Sequence, residues 1–253
     1  MQVDGGDDDA WSAVAGEWAD RWGAFADPVR AVLLDATRTG PGTRLLDVGC
    51  GSGELLALAL ARGASASGAD PAPGMVHLAR TRAHEADVRV AEAAALPWPD
   101  ASADVTTAVN ALELTGDPAG VLPELVRVTA PGGLVAVANW AEAARNDLDA
   151  VEAAVARALD DEPGPDGELR LPGGLERLLA AAGLTVEASG LVEAPWDASD
   201  DDALVRGVLL GEDDATQAEL APTVVGAAAG FRTAGGGYRL RNAFRYAVAR
   251  TPG

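Results

Sequence analysis

A glycine-rich segment, LLDVGCGSGE at residues 45–54, carries the clearest chemical signal in the sequence. A run of apolar residues ends at Asp47, and glycines then alternate at positions 49, 51 and 53. A glycine-rich turn between a strand and a helix lets backbone N–H groups approach a ligand closely, because no Cβ is in the way. The segment therefore predicts a ligand-binding loop that links a strand to a helix.

The spacing of the glycines indicates which ligand this loop holds. A dinucleotide-binding loop has the pattern G-x-G-x-x-G, but Glu54 occupies the position of its third glycine. The pattern G-x-G-x-G after an aspartate favours instead a neutral or zwitterionic adenosyl ligand, since that ligand has no pyrophosphate to hold.

Three carboxylates at the ends of three successive predicted strands support an adenosyl ligand. Asp70 is placed to accept hydrogen bonds from both ribose hydroxyls, and Glu92 to accept one from an adenine amino group. Asp47 could orient a ligand ammonium directly or through water, and an acidic pocket also suits a cationic sulfonium. The alternative is an ordinary strand-to-helix turn with solvated acids, which is harder to reconcile with acids at three strand ends.

The elements around these residues alternate between strand and helix, which predicts parallel strands joined by right-handed crossovers. Residues 10–22 have apolar side chains at helical spacing, and Pro28 opens a second helix before the first strand. An Ala-rich helix covers 141–160, and a mostly helical insertion covers 194–237. The predicted strands are RLLDVG, ASASGAD, DVRVAEA, ADVTTAVN, LVAVANW, LTVEASGLV and YRLRNAFRYAVAR.

Four segments, listed at the end of this paragraph in chain order, together resemble the class I S-adenosylmethionine-dependent methyltransferases. The nearest likeness is to the small-molecule subgroup that includes the ubiquinone/menaquinone C-methyltransferases. The resemblance implies a Rossmann-like α/β fold: a seven-stranded, mostly parallel sheet whose last strand is antiparallel, with helices on both faces and an N-terminal helical cap. The segments, within about residues 43–140, are LLDVGCGSGE, GADPAPGMVHLAR, VAEAAALPWPDASADVTTAVNAL and ELVRVTAPGGLVAVANW.

A single methyltransferase domain is expected over residues 1–253, because neither an internal repeat nor a separate linker occurs. Its parts are a helical cap at 1–40, a cofactor-binding core at 41–140, and a C-terminal half at 141–253 that contains the insertion at 194–237.

The resemblance also implies S-adenosyl-L-methionine as cofactor and S-adenosyl-L-homocysteine as product. The glycine loop would hold the methionine side, Asp70 the ribose, and Glu92 the adenine edge. Members of the family usually have aspartate where this chain has Glu92, and the longer carboxylate can still reach the amino group. The implied cofactor-binding residues are Asp47, Gly49, Cys50, Gly51, Gly53, Asp70, Pro71, Met75, Glu92, Ala93 and Asn110.

Methyl transfer is an in-line displacement at a sulfonium, so it needs alignment, exclusion of water and, for some nucleophiles, a base. Glu113 is the candidate general base, and Asn139 and Trp140 lie at the end of the fifth strand, where ligands of open α/β sheets bind. Two alternatives remain open. Glu113 could simply be the charged start of a connecting loop, and Trp140 could be a side chain packed in the core. His77 and His84 are interpreted as solvated or half-packed helix residues.

Four tryptophans are candidates for the acceptor pocket: Trp11, Trp18 and Trp22 of the first helix, and Trp196 of the insertion. Packing of a cap helix against the core is the default interpretation. In related folds the N-terminal helices and the segment before the last two strands cover the site, so the resemblance implies an aromatic pocket there.

Composition limits the classes of partner. The formal net charge is −20, with every one of the 19 basic residues an arginine, and a field of this sign argues against nucleic acid as substrate. The single cysteine, Cys50, rules out an intrachain disulfide, and no metal-ligand spacing occurs. No apolar run could span a bilayer and the start, MQVDGGDDDA, lacks signal-peptide features, so a soluble, cytoplasmic protein without a membrane partner is expected.

These features predict a methyltransferase that acts on a small apolar or aromatic metabolite. The first alternative is a relative that binds the same cofactor without transferring methyl, either cyclase-like or regulatory, because the same motifs would serve it. Glu54 disfavours a nicotinamide oxidoreductase, and the intact loop disfavours a protein that only retains the fold for interactions. The accepting atom (O, N or C), the use of a base and the oligomeric state remain open.

Overall fold

The computed structural model describes residues 8–253, so the first residues of the predicted cap, 1–7, lie outside the described part. The helices of that part are α1 (Asp8–Arg21), α2 (Asp27–Ala36), α3 (Glu54–Ala61), α4 (Pro73–Arg82), α5 (Pro118–Val128), α6 (Asp147–Ala158), α7 (Gly174–Ala181), α8 (Asp201–Val208) and α9 (Asp214–Ala227). Its strands are β1 (Arg44–Val48), β2 (Ser65–Asp70), β3 (Asp87–Val90), β4 (Ala103–Val109), β5 (Thr129–Trp140), β6 (Thr185–Glu193), β7 (Trp196–Ala198), β8 (Tyr238–Leu240) and β9 (Ala243–Arg250).

Seven strands form the central sheet, in the order β3-β2-β1-β4-β5-β9-β6. The pairs from β3 to β5 are parallel, whereas β9 runs antiparallel to both β5 and β6. The prediction of a mostly parallel seven-stranded sheet with an antiparallel last strand is confirmed. Because the strand order changes direction beside β1, a crevice opens beyond the carboxyl ends of β1 and β4.

Helices cover both faces of this sheet, as predicted. Leu46 and Val48 of β1 pack with residues of α5 and α7, whereas Leu45 packs with residues of α3 and α4. On the same side as Leu45, Val29 and Leu33 of α2 pack against β5 and β9. Successive side chains of a strand point to opposite faces, so the unbroken burial of residues 45–48 shows that β1 is covered on two sides.

The predicted closing strand at 238–250 is wrong in one respect, because the chain forms two strands there. β8 pairs antiparallel with β7 in a separate two-stranded sheet, and β9 joins the central sheet. Between them, the carbonyls of Arg241 and Asn242 accept hydrogen bonds of 2.8 Å from the backbone amides of Asp147 and Ala194. The backbone at this point is bonded to flanking segments and not to a sheet neighbour, so the chain passes from one sheet to the other.

The insertion and the N-terminal helices are joined by a pair of tryptophans. The rings of Trp22 and Trp196 are stacked, with centroids 4.4 Å apart and planes inclined by 11°. The indole Nε1 of Trp22 also donates to the carbonyl of Gly207 in α8 at 3.1 Å. The cap is therefore held against the insertion by specific contacts. No helix within residues 8–253 has the length and apolar character needed to cross a membrane.

Candidate active site

A cavity of about 410 Å³ lies at the carboxyl ends of β1, β2, β4 and β5. Residues from the cap, the glycine loop and α6 complete its wall. The predicted site residues that line it are Asp47, Gly49, Cys50, Gly51, Asp70, Pro71, Met75, Glu92, Ala93, Asn110, Glu113, Trp140, Trp11, Trp18 and Trp22.

Three predicted site residues, Gly53, Asn139 and Trp196, do not line the cavity, and each has a structural reason. Gly53 precedes α3 with φ of 89°, and a Cβ there would lie 2.8 Å from Cα of Ala79, so this glycine permits α3 and α4 to pack closely. Asn139 is buried behind the wall, and Trp196 is buried against Trp22.

The glycine loop is positioned by the neighbouring strand. The backbone amide of Gly49 donates to the carbonyl of Ala69 in β2 at 2.8 Å. Gly49 and Gly51 have φ of 70° and 52°, which glycine adopts without steric cost. A Cβ at Gly49 would meet Cβ of Ala111 at 2.3 Å, whereas at Gly51 the nearest atom is in the Trp18 ring at 3.8 Å. Gly51 is therefore the glycine that faces open space under the cap.

Asp70 is fixed by backbone donors on both sides. Its Oδ2 accepts from the amide of Gly51 at 2.9 Å, and its Oδ1 from the amide of Ala72 at 3.0 Å. Burial raises the pKa of Asp70, the two backbone hydrogen bonds lower it, and the negative charges of Asp8 and Glu92 raise it further. The result is an immobilised carboxylate at the end of β2, which can accept further hydrogen bonds from a ligand in the cavity.

Asp47 is a fully enclosed carboxyl group at the end of β1. Its pKa is raised to about 7, mainly by burial; the hydroxyl of Thr107, which donates to Oδ1 at 2.6 Å, and the nearby cation of Arg30 act in the opposite direction. The charges of Asp70 and Glu54 raise it. A ligand cation beside Asp47 would offset this unfavourable environment, because an opposite charge stabilises the ionised carboxylate.

Arg30 of α2 is a buried cation in the cavity wall that sequence analysis did not identify. Its Nη1 donates to the carbonyl of Gly23 at 2.5 Å and to Oδ1 of Asp27 at 2.8 Å. The signal in the sequence was a charged residue on the apolar side of a helix, in the same buried set as Val29 and Leu33. Unpaired charges are rarely buried in that way, so the pattern indicates a specific partner.

The carboxyl ends of β4 and β5 supply a second group of polar side chains. Glu113 lies on a short 3-10 helix, Leu112–Thr115, and its Oε2 accepts from Nδ2 of Asn139 at 2.8 Å. Oδ1 of Asn110 accepts from the backbone amide of Trp140 at 3.1 Å, and Asn110 itself has φ of 53°. These hydrogen bonds fix the two strand ends relative to each other, with Glu113 and Trp140 in the cavity wall.

Aromatic side chains form an aromatic wall of the same cavity. Phe25, which follows α1, is stacked on Trp140 with ring centroids 4.9 Å apart, and Trp140 is stacked on Phe244 of β9 at 5.3 Å. Phe25 lines the cavity and was not predicted, because its partners are far away in the chain. The cavity lining combines this rigid apolar surface with charged groups, which suits a small ligand with an apolar body.

A further ion pair closes the cavity on the side of α6. The Arg170 guanidinium donates to the carboxylate of Asp149, and its Nε donates to the carbonyl of Ala141 at 2.9 Å. Burial raises the pKa of Asp149 and the Arg170 cation lowers it. This pair was also not predicted, because α6 and the loop that follows it meet only in the folded chain.

The histidines lie away from this site. His77 and His84 are exposed on and just after α4, and neither lines the cavity. Within residues 8–253, no cluster of three or more His, Cys, Asp or Glu side chains has an arrangement that could hold a metal ion.

The residues present fit an adenosyl amino acid. A buried carboxyl group and a buried guanidinium, Asp47 and Arg30, line the cavity beside the glycine loop, which suits a zwitterion. Asp70 offers a fixed acceptor for hydroxyl groups. Met75 and Ala93 provide apolar surface in the cavity lining, and Glu92 provides a hydrogen-bond acceptor.

A family model described as "Methyltransferase domain" matches residues 46–137. The matched region starts within β1 and ends within β5, so it contains the glycine loop and the ends of the first strands but neither the cap nor the insertion.

Curated relatives include named methyltransferases. The malonyl-[acyl-carrier protein] O-methyltransferase of Serratia marcescens is 32% identical over 139 residues, which cover 55% of this chain and 54% of the relative. The 27-O-demethylrifamycin SV methyltransferase of Amycolatopsis mediterranei is 38% identical over 106 residues, 39% of each chain. The chain spans about half the length of the curated relatives it matches, or less.

Solved structures share the fold. A SAM-dependent methyltransferase from Aquifex aeolicus superposes with a TM-score of 0.57 at 20% identity and covers 74% of this chain and 93% of that one. The [4+2]-cyclase SpnF superposes with a TM-score of 0.60 at 23% identity and covers 92% and 83%. Likeness at this level of identity shows the fold alone. Residues 46–137 therefore match a methyltransferase domain, and the named relatives that resemble this chain over part of its length are methyltransferases.

Proposed function

We propose that this protein transfers the methyl group of S-adenosylmethionine to a small acceptor with an apolar or aromatic body. The observation that carries the proposal is one cavity in which the glycine loop, Asp47 and Asp70 lie next to an aromatic wall that includes Trp140. When bound there, the cofactor supplies an electrophilic methyl group on a sulfonium. The remaining chemistry is alignment, desolvation and the handling of one proton.

The cofactor side of the cavity is proposed to act through fixed acceptors. Asp70, held by two backbone amides, accepts hydrogen bonds from the ribose hydroxyls, and Asp47 pairs with the ammonium. Met75 and Ala93 contact the adenine, with Glu92 as acceptor for its amino group. Since Asp70 is already ordered by the fold, little conformational entropy is lost when a ligand binds to it.

The acceptor side is proposed to hold its substrate between the aromatic wall and Glu113. Phe25 and Trp140 are stacked and half-buried, and together they would exclude water from one face of the acceptor. Oε1 and Oε2 of Glu113 can take a proton from an acceptor hydroxyl, amine or acidic carbon. Asn139 is a positioning residue, because it touches Glu113 and not the cavity.

The cap and the insertion are proposed to cover this site as parts of a single domain. Trp11 and Trp18 of α1 line the cavity above Gly51, and Trp22 ties the end of α1 to Trp196. This arrangement supports the predicted division into a cap at 1–40, a cofactor core at 41–140 and a C-terminal half.

The motifs also resemble one particular subgroup of these methyltransferases. The resemblance to ubiquinone/menaquinone C-methyltransferases stays a prediction from the motifs, since the named relatives are methyltransferases of an acyl-carrier-bound malonyl group and of a rifamycin. The likeness to SpnF concerns the fold, so it does not favour a cyclase over a methyltransferase.

Calorimetric titration with S-adenosylhomocysteine, with NADH as control, tests the cofactor first. We expect micromolar binding of the former and none of the latter. Transfer of a radiolabelled methyl group from S-adenosylmethionine to phenolic, quinone-like and amine acceptors then tests the reaction. Absence of S-adenosylhomocysteine binding would refute the proposal, whereas binding without any methylated product across the panel would favour the non-methylating alternative.

A further inference from the structure

The acceptor side of the cavity, which lies between the aromatic wall, Glu113 and α6, carries an excess of negative charge. Its charged lining residues are Glu113, Asp149, Glu152 and Arg170, three carboxyl groups against one guanidinium. Over the whole lining, residues 8–253 contribute seven carboxyl groups and two guanidinium groups. Since S-adenosylmethionine carries a single net positive charge, the bound cofactor would offset only part of this excess.

Arg170, the guanidinium of the acceptor side, is already matched by acids. It donates to the carboxylate of Asp149, its Nε donates to the carbonyl of Ala141 at 2.9 Å, and Oδ1 of Asp166 lies 3.4 Å from the same nitrogen. The side chain of Arg170 is 18% exposed, so water screens these interactions only in part. A ligand anion beside Arg170 would therefore compete with two carboxylates for one cation.

The neighbouring cation behind this wall is matched as well. Nε of Arg245 donates to the backbone carbonyl of Arg170 at 3.1 Å, and its Nη2 lies 2.7 Å from Oε2 of Glu142. Arg245 does not line the cavity. Its charge is therefore directed to Glu142 and is not presented to a ligand.

The acids of the acceptor side lie close enough to repel one another. Burial raises the pKa of Asp149, the hydrogen bond and the charge of Arg170 lower it, and the charges of Glu152 and Asp166 raise it again. Glu113 is near enough for its charge to act on Arg170, and it forms no ion pair with any residue of 8–253. A ligand cation would relieve this repulsion, and a ligand anion would increase it.

We infer that the acceptor binds as a cation, an amine that is protonated at neutral pH and carried on an apolar or aromatic body. Asp149 is the specificity-determining residue, because it neutralises Arg170, the guanidinium on this side that would otherwise attract an anion. The aromatic wall suits the same ligand, since the faces of aromatic rings attract cations. This inference rests on the proposed function and narrows its acceptor class.

Three probes with the same phenyl group and different charges test this preference. At about pH 7, phenethylamine is a cation, 2-phenylethanol is neutral and 3-phenylpropionate is an anion. The full chain is first saturated with S-adenosylhomocysteine, so that the probes bind only on the acceptor side, and their affinities are measured by calorimetric titration. We expect phenethylamine to bind about tenfold or more tightly than 3-phenylpropionate, with the alcohol between them.

Asp149→Asn tests the cause of the preference. The substitution keeps the size of the side chain but leaves Arg170 without its hydrogen-bonded carboxylate. The ratio of amine to anion affinity should therefore fall about tenfold or more, or reverse. The matched control is Glu162→Gln, an exposed acid of the loop before Arg170 that does not line the cavity, and it should keep the wild-type ratio.

Equal or tighter binding of 3-phenylpropionate by the wild type would overturn the inference, and so would failure of phenethylamine to bind at concentrations of several millimolar. A preference for the amine that persists in Asp149→Asn would overturn the role of Asp149. If that variant does not fold, the order of the three probes in the wild type decides. Absence of S-adenosylhomocysteine binding to the wild type would instead refute the proposed function.

Discussion

Oε2 of Glu113 lies 2.8 Å from Nδ2 of Asn139, so an acid on the β4 side of the cavity is held by an amide at the end of β5. Asn139 is 2% exposed, and this hydrogen bond orients the carboxylate without using the face toward the cavity. Two strands thus cooperate to place one proton acceptor.

Replacement of Glu113 tests its role as a base. Glu113→Gln keeps an oxygen that can accept from Asn139 but cannot take a proton, so methyl transfer to an acceptor that ionises on reaction should fall about 10²- to 10⁴-fold. Affinity for S-adenosylhomocysteine should remain within twofold. Turnover and calorimetry measure the two effects, with the exposed Glu85→Gln as control. An unchanged turnover number would exclude Glu113 as the base.

The pKa of Asp47 predicts a pH dependence of binding. Since the pKa of about 7 belongs to the unliganded protein and the ammonium requires ionised Asp47, affinity for S-adenosylhomocysteine should decrease as the pH falls through 7, by up to about tenfold per unit. Titrations between about pH 5.5 and 8.5 measure this, and Asp47→Asn should flatten the profile. A profile that persists in Asp47→Asn would assign the dependence to another group.

The raised pKa of Asp47 also predicts how the stability of the unliganded protein depends on pH. Stability should decrease with rising pH, whereas affinity for the ligand should increase. The folded pKa lies above the ordinary 3.8, so the folded state binds more protons and unliganded stability should decrease as the pH rises from about 4 through 7. Asp47→Asn should remove this contribution and raise the free energy of unfolding at pH 8 by about 2 to 4 kcal/mol. Urea unfolding at several pH values checks it. A less stable Asn variant at pH 8 would contradict the assigned cause.

Asp70 should contribute to recognition of the adenosine. Asp70→Asn replaces one acceptor oxygen by an N–H₂ group, which would face the amide of Gly51 or of Ala72 as donor against donor. Affinities for S-adenosylhomocysteine and for 5′-methylthioadenosine, which lacks the amino-acid group, should both fall about tenfold or more. Calorimetry with both ligands measures these losses, and a loss confined to S-adenosylhomocysteine would contradict a ribose role.

The tryptophan stack between cap and insertion should depend on Gly207. A Cβ at this position would lie 2.4 Å from a ring carbon of Trp196, so Gly207→Ala should displace the ring from Trp22 and cost about 1 to 3 kcal/mol. The control is Gly226→Ala in α9, where no atom lies within 4 Å and the substitution should stabilise by up to about 1 kcal/mol. Urea unfolding compares them, and equal effects would show that the stack does not matter.

The sequence predicted the core of the fold well because its signals are local. The glycines and Asp47 stand within a few residues, and the turn they form requires φ values that glycine supplies. The strand ends followed from alternation of strand and helix, so the acids at those ends could be placed on one edge of the sheet before any contact was known. Gly53 was predicted from the same motif to bind the cofactor, but it does not line the cavity. Its lack of a side chain permits α3 to pack closely on α4.

Residues outside such motifs could not be placed in this way. Phe25 and Trp140 are stacked although they are far apart in the chain, and Arg170 meets Asp149 only after a loop has folded back. The division of the last strand also depends on hydrogen bonds from distant segments to Arg241 and Asn242. Non-local contacts leave little periodicity in the sequence, because they are set by tertiary packing.

The sequence by itself therefore determined the class of fold and the loop of the expected cofactor, because strand-helix alternation and a glycine turn are local properties of the chain. The tertiary structure decided which charges meet in the cavity. Asp47 acquires its raised pKa, and Arg30 its buried place in the cavity wall, only when the cap is packed against the sheet and water is excluded from both.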